Sequence, residues 1–94
     1  MKLQLEAKHR EIVFEILRKY HYAFYAFGSR VKGTAKRFSD LDLCYKEPIP
    51  DSIVSHIEED FEQSDLPFKV DLVSFSRCTE DFKKRIEEDG VKII

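Results

Sequence analysis

The residues whose types and spacing could perform chemistry lie mainly in one segment, AFGSRVKGTAKRFSDLDL. The segment places a glycine and a serine, Gly28 and Ser29, ten residues before two aspartates, Asp40 and Asp42. A third aspartate, Asp71, lies inside the later apolar run FKVDLVSF. Carboxylates held together repel one another unless a cation lies between them. The pattern therefore predicts a site for a cation and its ligand.

The acids indicate which cation and ligand to expect. The run DLDLCYK alternates acids with leucines, which predicts a β-strand with Asp40 and Asp42 on one face, their Cα atoms about 6–7 Å apart. Such oxygen ligands suit Mg²⁺, which completes its shell with water and substrate phosphates. Asp71 could complete a two-ion site that activates an attacking oxygen and stabilises a leaving phosphate. We therefore predict Asp40, Asp42 and Asp71 as catalytic, metal-binding residues acting on a nucleoside triphosphate.

The glycine and serine predict the phosphate-binding half of this site. A glycine at the end of a strand lets the backbone approach a ligand, and the residues after Gly28 are predicted to open a short helix whose free N–H groups favour phosphate. Ser29 adds a hydroxyl donor, and Arg30 adds a guanidinium that matches phosphate oxygens. Gly33 is expected to let the chain turn back toward the aspartates.

The elements that position these residues follow from hydrophobic periodicity. Apolar residues recur at spacings of three and four between Leu5 and Tyr20, which predicts an outer helix packed on a sheet. The runs YAFYAFG, DLDLCYK and FKVDLVSF predict strands, and VKII is expected to add a last short one. The alternation predicts an α/β (α+β) fold with a mixed sheet of three to four strands flanked by helices.

Two further helices have predicted ends. The stretch PDSIVSHIEEDFEQ is expected to form a helix capped by Asp51 or Ser52. The stretch SRCTEDFKKRIEEDG is expected to form a helix capped by Ser76 or Thr79, with an apolar stripe that includes Phe82.

The composition predicts a single soluble domain over residues 1–94. Hydrophobic residues make up 43% and charged residues 36% of the chain, and no apolar run approaches the roughly 18 residues that a membrane span needs. Charged residues also interrupt the N-terminal segment, which is unlike a signal peptide, so we expect a cytoplasmic protein. Cys44 and Cys78 lack the spacing of a zinc site and are expected to be packing residues.

The charge distribution favours a small anionic ligand. The formal net charge of -2 argues against direct binding to nucleic acid. Four cations and no acid lie between Arg30 and Arg37, whereas six acids and no Lys or Arg lie between Asp51 and Asp65. A transferase acting on RNA ends would need a longer basic surface, and we rank that hypothesis last.

The segments GSRVKGTAKRFSDLDL and VDLVSF resemble the minimal nucleotidyltransferases of the DNA polymerase beta superfamily, and the resemblance covers nearly the whole chain. It implies the polymerase-beta-like nucleotidyltransferase fold, with Gly28 and Ser29 as the phosphate-binding turn and Asp40 and Asp42 as the metal-binding acids. Asp71 matches the third acid, which in active members helps to deprotonate the incoming hydroxyl.

The resemblance extends to the residues around these motifs. Arg30, Gly33 and Ser39 fit the nucleotide-binding positions of the family, whereas Lys32 stands where an arginine is frequent. It implies Mg²⁺, with Mn²⁺ as the alternative ion and two ions expected, and a nucleoside triphosphate, ATP, as the substrate.

The resemblance also implies a partner. Minimal members are commonly encoded beside an all-helical protein of the HEPN class, with which they form hetero-oligomeric toxin–antitoxin pairs. In some pairs the nucleotidyltransferase transfers AMP from ATP to a tyrosine hydroxyl of the toxin. In others it only binds and masks its partner, and this non-catalytic, nucleotide-binding antitoxin is the alternative hypothesis. The base, the acceptor, the stoichiometry and the activity of the isolated chain stay open.

Overall fold

The computed structural model describes residues 3–94, which form helices on both faces of a four-stranded sheet. Among these residues no helix has the length and apolar content needed to cross a membrane. The predicted fold class is confirmed. In chain order the elements are α1 (Ala7–Arg18), β1 (Tyr25–Phe27), α2 (Ser29–Lys32), β2 (Leu41–Tyr45), α3 (Asp51–Glu62), β3 (Val70–Ser74), a 3₁₀ turn (Phe75–Arg77), α4 (Glu80–Asp89) and β4 (Val91–Lys92).

The sheet has the strand order β3-β2-β1-β4. Strand β1 is antiparallel to both β2 and β4, whereas β2 and β3 are parallel. A parallel pair needs a crossover connection, and α3 provides it. The resulting register places Asp42 of β2 opposite Asp71 of β3. The crossover thus brings together two acids that are far apart in the sequence.

The two faces of the sheet carry different cores because side chains alternate along each strand. Leu41 and Leu43 of β2 are fully buried in the larger core, which α1 and α3 cover. Cys44 points to the other face and packs with Phe27 and with Ile86 of α4 in a smaller cluster. Asp42 alternates with the two leucines and therefore lies on the same face as α4, where the smaller core leaves space.

Helix ends show where local patterns predicted correctly and where they did not. Thr79 caps α4 as predicted, since its Oγ1 accepts a hydrogen bond from the Phe82 N–H at 3.3 Å. The predicted cap of α3 by Asp51 or Ser52 is wrong, because α3 already begins at Asp51 and both residues lie inside the helix. Pro50 is the N-cap, and its carbonyl accepts the N–H groups of residues 53 and 54.

The two cysteines are free thiols. Cys44 is completely buried, and burial together with the nearby Cys78 raises the pKa of its thiol to about 11. A thiol with so high a pKa stays protonated at neutral pH and behaves as a small apolar group. This agrees with the packing role expected for Cys44.

Candidate active site

Asp42 and Asp71 form the centre of the candidate site. They lie opposite each other in the parallel register of β2 and β3. Burial raises the pKa of Asp42 above that of an ordinary aspartate, and the negative charges of Asp71 and Asp40 raise it further. The three predicted acids are therefore close enough to interact. Without a cation, the arrangement makes the ionised form of Asp42 costly.

Gly28 closes one side of this centre. Its φ of +81° lies in a region that other residues rarely adopt, and a Cβ added here would lie 2.5 Å from Oδ2 of Asp42. The carbonyl of Gly28 accepts the N–H groups of Val31 and Lys32, both at 3.1 Å, and so starts α2. The predicted turn from strand to short helix is present, and only glycine fits where it meets Asp42.

A cavity of about 510 Å³ opens from this centre toward α4. Its size is typical of sites for small molecules. The acids that line it are Asp42, Glu58, Asp71 and Asp89, and the cations are Lys32 and Arg85. Because the acids outnumber the cations, a polyphosphate would be repelled unless it entered with metal ions.

The side chains present fit Mg²⁺ only if the substrate completes its coordination. Within residues 3–94, no three His, Cys, Asp or Glu side chains are grouped so that they could hold a metal ion by themselves. The carboxylate of Asp71 instead forms an ion pair with Nζ of Lys69 at 3.4 Å. Mg²⁺ usually takes only one or two protein carboxylates and fills its shell with water and phosphate oxygens. Asp42 with one neighbouring aspartate meets that requirement.

Arg30 lies outside this cavity and makes contacts that differ from the predicted ones. Its guanidinium is buried and donates from Nε and Nη2 to the carbonyl of Ser39, at 3.0 and 2.8 Å, and from Nη1 to the carbonyl of Gln4, at 2.9 Å. It also packs 4.1 Å from the centre of the Phe68 ring. Most of its donors are bound to main-chain carbonyls, which favours a positioning role for Arg30, and the predicted contact with phosphate stays a prediction.

The other predicted nucleotide-binding residues build the loop between α2 and β2. Ser29 begins α2, and its carbonyl accepts the N–H of Thr34 at 3.1 Å. Gly33, with a φ of +78°, ends α2 in an open position. Ser39 accepts the N–H of Lys36 on its Oγ at 2.8 Å. Of the predicted nucleotide-binding residues, Gly28 lines the cavity, whereas Ser29, Arg30, Gly33 and Ser39 do not.

Asp40 lies at the edge of the site. It directly precedes β2, is exposed, and does not line the cavity that Asp42 and Asp71 share. Its charge nevertheless reaches both Asp42 and Arg30. It adds to the rise in the pKa of Asp42, and it opposes the burial that lowers the pKa of Arg30. The Arg30 bond to the Ser39 carbonyl fixes the backbone immediately before Asp40. Asp40 therefore lies near the cavity aspartates without lining the cavity, and its role as a metal ligand stays a prediction.

Sequence reasoning missed the contribution of α4. Phe82, Arg85 and Asp89 all line the cavity, although Phe82 had been placed in an apolar stripe. Asp89 forms an ion pair with Nζ of Lys32 at 3.3 Å, which ties α4 to α2. The spacing of three and four residues along α4 was a usable signal, because it places these side chains on one helix face.

Comparisons with known proteins agree with this geometry. The family model described as polymerase beta, nucleotidyltransferase matches residues 5–94. The chain is 40% identical over 96 aligned residues to a Haemophilus influenzae protein named probable protein adenylyltransferase MntA, and the match covers 98% of this chain and 84% of that protein.

Two solved structures share the fold. One, described as a toxin–antitoxin with AMP-PNP, has a TM-score of 0.67 at 22% identity and covers 88% of this chain and 70% of its own. A mutant of the MntA–HpeT toxin–antitoxin has a TM-score of 0.64 at 19% identity and covers 97% of this chain and 73% of its own. The family match spans both cavity aspartates and the glycine beside them. The resemblance read from the sequence is thereby confirmed, and the chain belongs to the polymerase beta nucleotidyltransferase family of enzymes.

Proposed function

We propose that this nucleotidyltransferase transfers AMP from ATP to a hydroxyl group of a partner protein, with Mg²⁺ as its cofactor. The observation that carries the proposal is the pairing of Asp42 with Asp71, against Gly28, at one end of a cavity of nucleotide size. The name of the Haemophilus influenzae relative, a protein adenylyltransferase, supports a protein as the acceptor.

The proposed partner is a helical toxin of the HEPN type, for which this chain acts as the antitoxin. The two solved structures described above are toxin–antitoxin assemblies, and one of them contains AMP-PNP, an analogue of ATP. A hetero-oligomer with a toxin would bring the acceptor hydroxyl to the cavity. Adenylylation of the toxin would then be the step that silences it.

Asp40 and Asp42 are the residues proposed to hold Mg²⁺, with Asp71 as the third acid. When bound, Mg²⁺ neutralises phosphate charge and polarises the phosphoryl group that is transferred. The raised pKa of Asp42 supports this assignment, because a nearby cation would favour the ionised carboxylate.

In the proposed reaction Asp71 accepts the proton of the acceptor hydroxyl. The hydroxyl oxygen forms a bond to the α-phosphorus of ATP while the bond to the bridging oxygen of the β-phosphate breaks, and pyrophosphate leaves in line. The Gly28 turn lets the triphosphate approach the main chain, and Arg30 fixes the loop that carries Asp40.

A second candidate function is masking of the toxin without catalysis. The ion pair between Asp71 and Lys69 favours it, because a carboxylate held by lysine is less free to act as a base. Under this candidate the chain binds nucleotide but works by covering its partner.

One experiment separates the two functions. The purified chain is mixed with its partner, Mg²⁺ and each nucleoside triphosphate in turn, and both chains are weighed by intact mass spectrometry. The proposal predicts that the partner gains one or more nucleoside monophosphates, and that Asp40→Asn with Asp42→Asn abolishes the gain. A stable complex that silences the toxin with no mass change would support masking instead.

A further inference from the structure

The wall of the cavity opposite the acids comes from one face of α4. Phe82, Arg85 and Asp89 lie three and four residues apart, so they line up along the helix. The Lys32–Asp89 ion pair fixes the Asp89 end of this wall to α2, which follows the phosphate-binding turn. Seven residues of helix span about 10 Å, so Phe82 lies well away from that ion pair. A ligand with its phosphates near α2 would extend along this wall toward Phe82.

The ring of Phe82 has a face available to such a ligand. Phe82 and Phe38 are the large hydrophobic side chains that stay exposed among residues 3–94, and Phe82, at 38%, is the one that lines the cavity. The Phe82 ring meets the Phe27 ring edge to face, with centres 5.6 Å apart and planes at 88°. An edge-to-face contact uses at most one face of Phe82, so Phe27 leaves the other face uncovered. Phe27, which precedes Gly28, also holds this ring in place.

Arg85 supplies a cation between the two ends of the wall. It is exposed and forms no ion pair within residues 3–94. Lys32, the other cation of the cavity, is already paired with Asp89. A phosphate group in the cavity would therefore find Arg85 as its free donor, and a guanidinium matches phosphate oxygens in geometry.

We propose that Phe82 is the platform on which the nucleobase stacks and that Arg85 contacts the phosphate chain. This inference rests on the proposed function and names the part of the site that holds the nucleoside. The described lining offers charged, apolar and glycine residues but no amide or hydroxyl side chain. Stacking thus carries more of the recognition than hydrogen bonds to the base edge. Because a purine offers a larger face than a pyrimidine, Phe82 favours ATP and GTP over CTP and UTP.

The test is isothermal titration calorimetry of the full chain with the Mg²⁺ complexes of ATP, CTP and inorganic tripolyphosphate. Tripolyphosphate carries the phosphates without a base, so it separates the two proposed contacts. Phe82→Leu keeps an apolar side chain beside Phe27 but removes the aromatic face. It is expected to raise the Kd for ATP about 5- to 100-fold and to leave the Kd for tripolyphosphate unchanged. Arg85→Gln is expected to raise the Kd values for ATP and for tripolyphosphate by similar factors.

Matched variants guard against a folding effect. Phe38→Leu makes the same change at an exposed phenylalanine outside the cavity and should leave both Kd values unchanged. Phe82→Trp enlarges the aromatic face and should bind ATP at least as tightly as the native chain. A folded Phe82→Leu protein with the native Kd for ATP, or an equal loss of ATP and tripolyphosphate binding, would overturn the inference while the proposed function stands. If the native chain bound neither ligand, the proposed function itself would fail, and this inference with it.

Discussion

Two half-buried aspartates, Asp42 in the candidate site and Asp60 on α3, have opposite electrostatic surroundings. Asp60 accepts hydrogen bonds from the Tyr20 hydroxyl and from Nζ of Lys19, the latter at 3.0 Å. These bonds lower the pKa of Asp60 and raise that of Tyr20 to about 12. Asp42 instead faces Asp71 and Asp40, and burial and repulsion raise its pKa. One acid has partners within the chain, and the other is placed among acids.

The difference indicates which region serves the fold and which serves the chemistry. The Tyr20–Asp60–Lys19 cluster joins α1 to α3 and stabilises their packing. The carboxylate pair of Asp42 and Asp71 costs stability until a cation arrives, and such arrangements cluster at functional sites. Substitutions in the two regions should therefore have opposite effects on activity and stability.

The largest expected effect is on transfer activity. Asp42→Asn removes a proposed metal ligand and should lower kcat/KM by about 10²–10³-fold or more. Asp60→Asn makes the same chemical change outside the site and should leave kcat/KM within about twofold, a range that covers ordinary context dependence. Rates of AMP transfer to the partner protein measure both. Equal losses of kcat/KM in the two variants would contradict the claim that Asp42 serves the chemistry and Asp60 serves the fold.

The next effect concerns the contact between Gly28 and Asp42. Gly28→Ala should displace the Asp42 carboxylate, because the new Cβ would lie 2.5 Å from its Oδ2, and should destabilise the fold by about 1–3 kcal/mol. Gly33→Ala is the matched control, since Gly33 has a similar positive φ but open space around it. Urea unfolding and ATP binding should show a backbone cost in both variants and a loss of ATP binding only at Gly28. Full ATP binding by Gly28→Ala would refute the close contact.

The third effect separates two roles for Arg30, positioning of the loop and direct binding of phosphate. Arg30→Met leaves the carbonyls of Ser39 and Gln4 without their donors and should lower the free energy of unfolding by about 1–3 kcal/mol. Arg37→Met, at an exposed neighbour in the same loop, should change it by less than about 0.5 kcal/mol. The measurement is chemical denaturation of both variants. If Arg30→Met were as stable as the native chain but bound tripolyphosphate more weakly, the result would support direct contact between Arg30 and phosphate.

The smallest effect is the pH dependence of stability, of about 1 kcal/mol or less at each of these partly exposed groups. Because the pKa of Asp42 is raised, the folded chain keeps a proton that the unfolded chain has lost, and stability falls as pH rises from the ordinary aspartate pKa through the raised value. Because the pKa of Asp60 is lowered, its contribution is present above the ordinary pKa and is lost as pH falls below it.

Urea unfolding at a series of pH values checks both signs in the metal-free protein. Asp42→Asn should be more stable than the native chain at neutral pH, and Asp60→Asn should be less stable. A loss of stability in Asp42→Asn would mean that the carboxylate has a favourable partner within the fold.

Local sequence patterns predicted those features that depend on neighbouring residues. The alternation in DLDLCYK placed Asp42 on the face opposite Leu41 and Leu43, as the structure has it. The glycine turn before a short helix and the Thr79 cap follow from short-range geometry in the same way. The third acid, Asp71, was predicted because it lies inside the otherwise apolar run FKVDLVSF, and the resemblance to a known family supported it.

Features set by distant contacts were not predictable in this way. Arg30 was assigned to phosphate because it follows the turn, but Gln4, 26 residues away, and Phe68 provide its surroundings. Phe82 was placed in an apolar stripe, but α4 buries only Ile86 on the smaller core and leaves Phe82 at the cavity. The register of Asp42 with Asp71 likewise depends on the crossover through α3.

The most direct test is the thermal midpoint of the native chain, Asp42→Asn and Asp60→Asn, each with and without Mg²⁺ and ATP. A ligand that binds only the folded state raises the midpoint, and the rise grows with the logarithm of the ratio of the ligand concentration to its Kd. We expect Mg²⁺ with ATP to raise the midpoints of the native chain and of Asp60→Asn by similar amounts. We also expect Asp42→Asn to start higher and gain nothing. An equal rise in the midpoint of Asp42→Asn would contradict the claim that the Asp42 carboxylate binds the metal and the nucleotide.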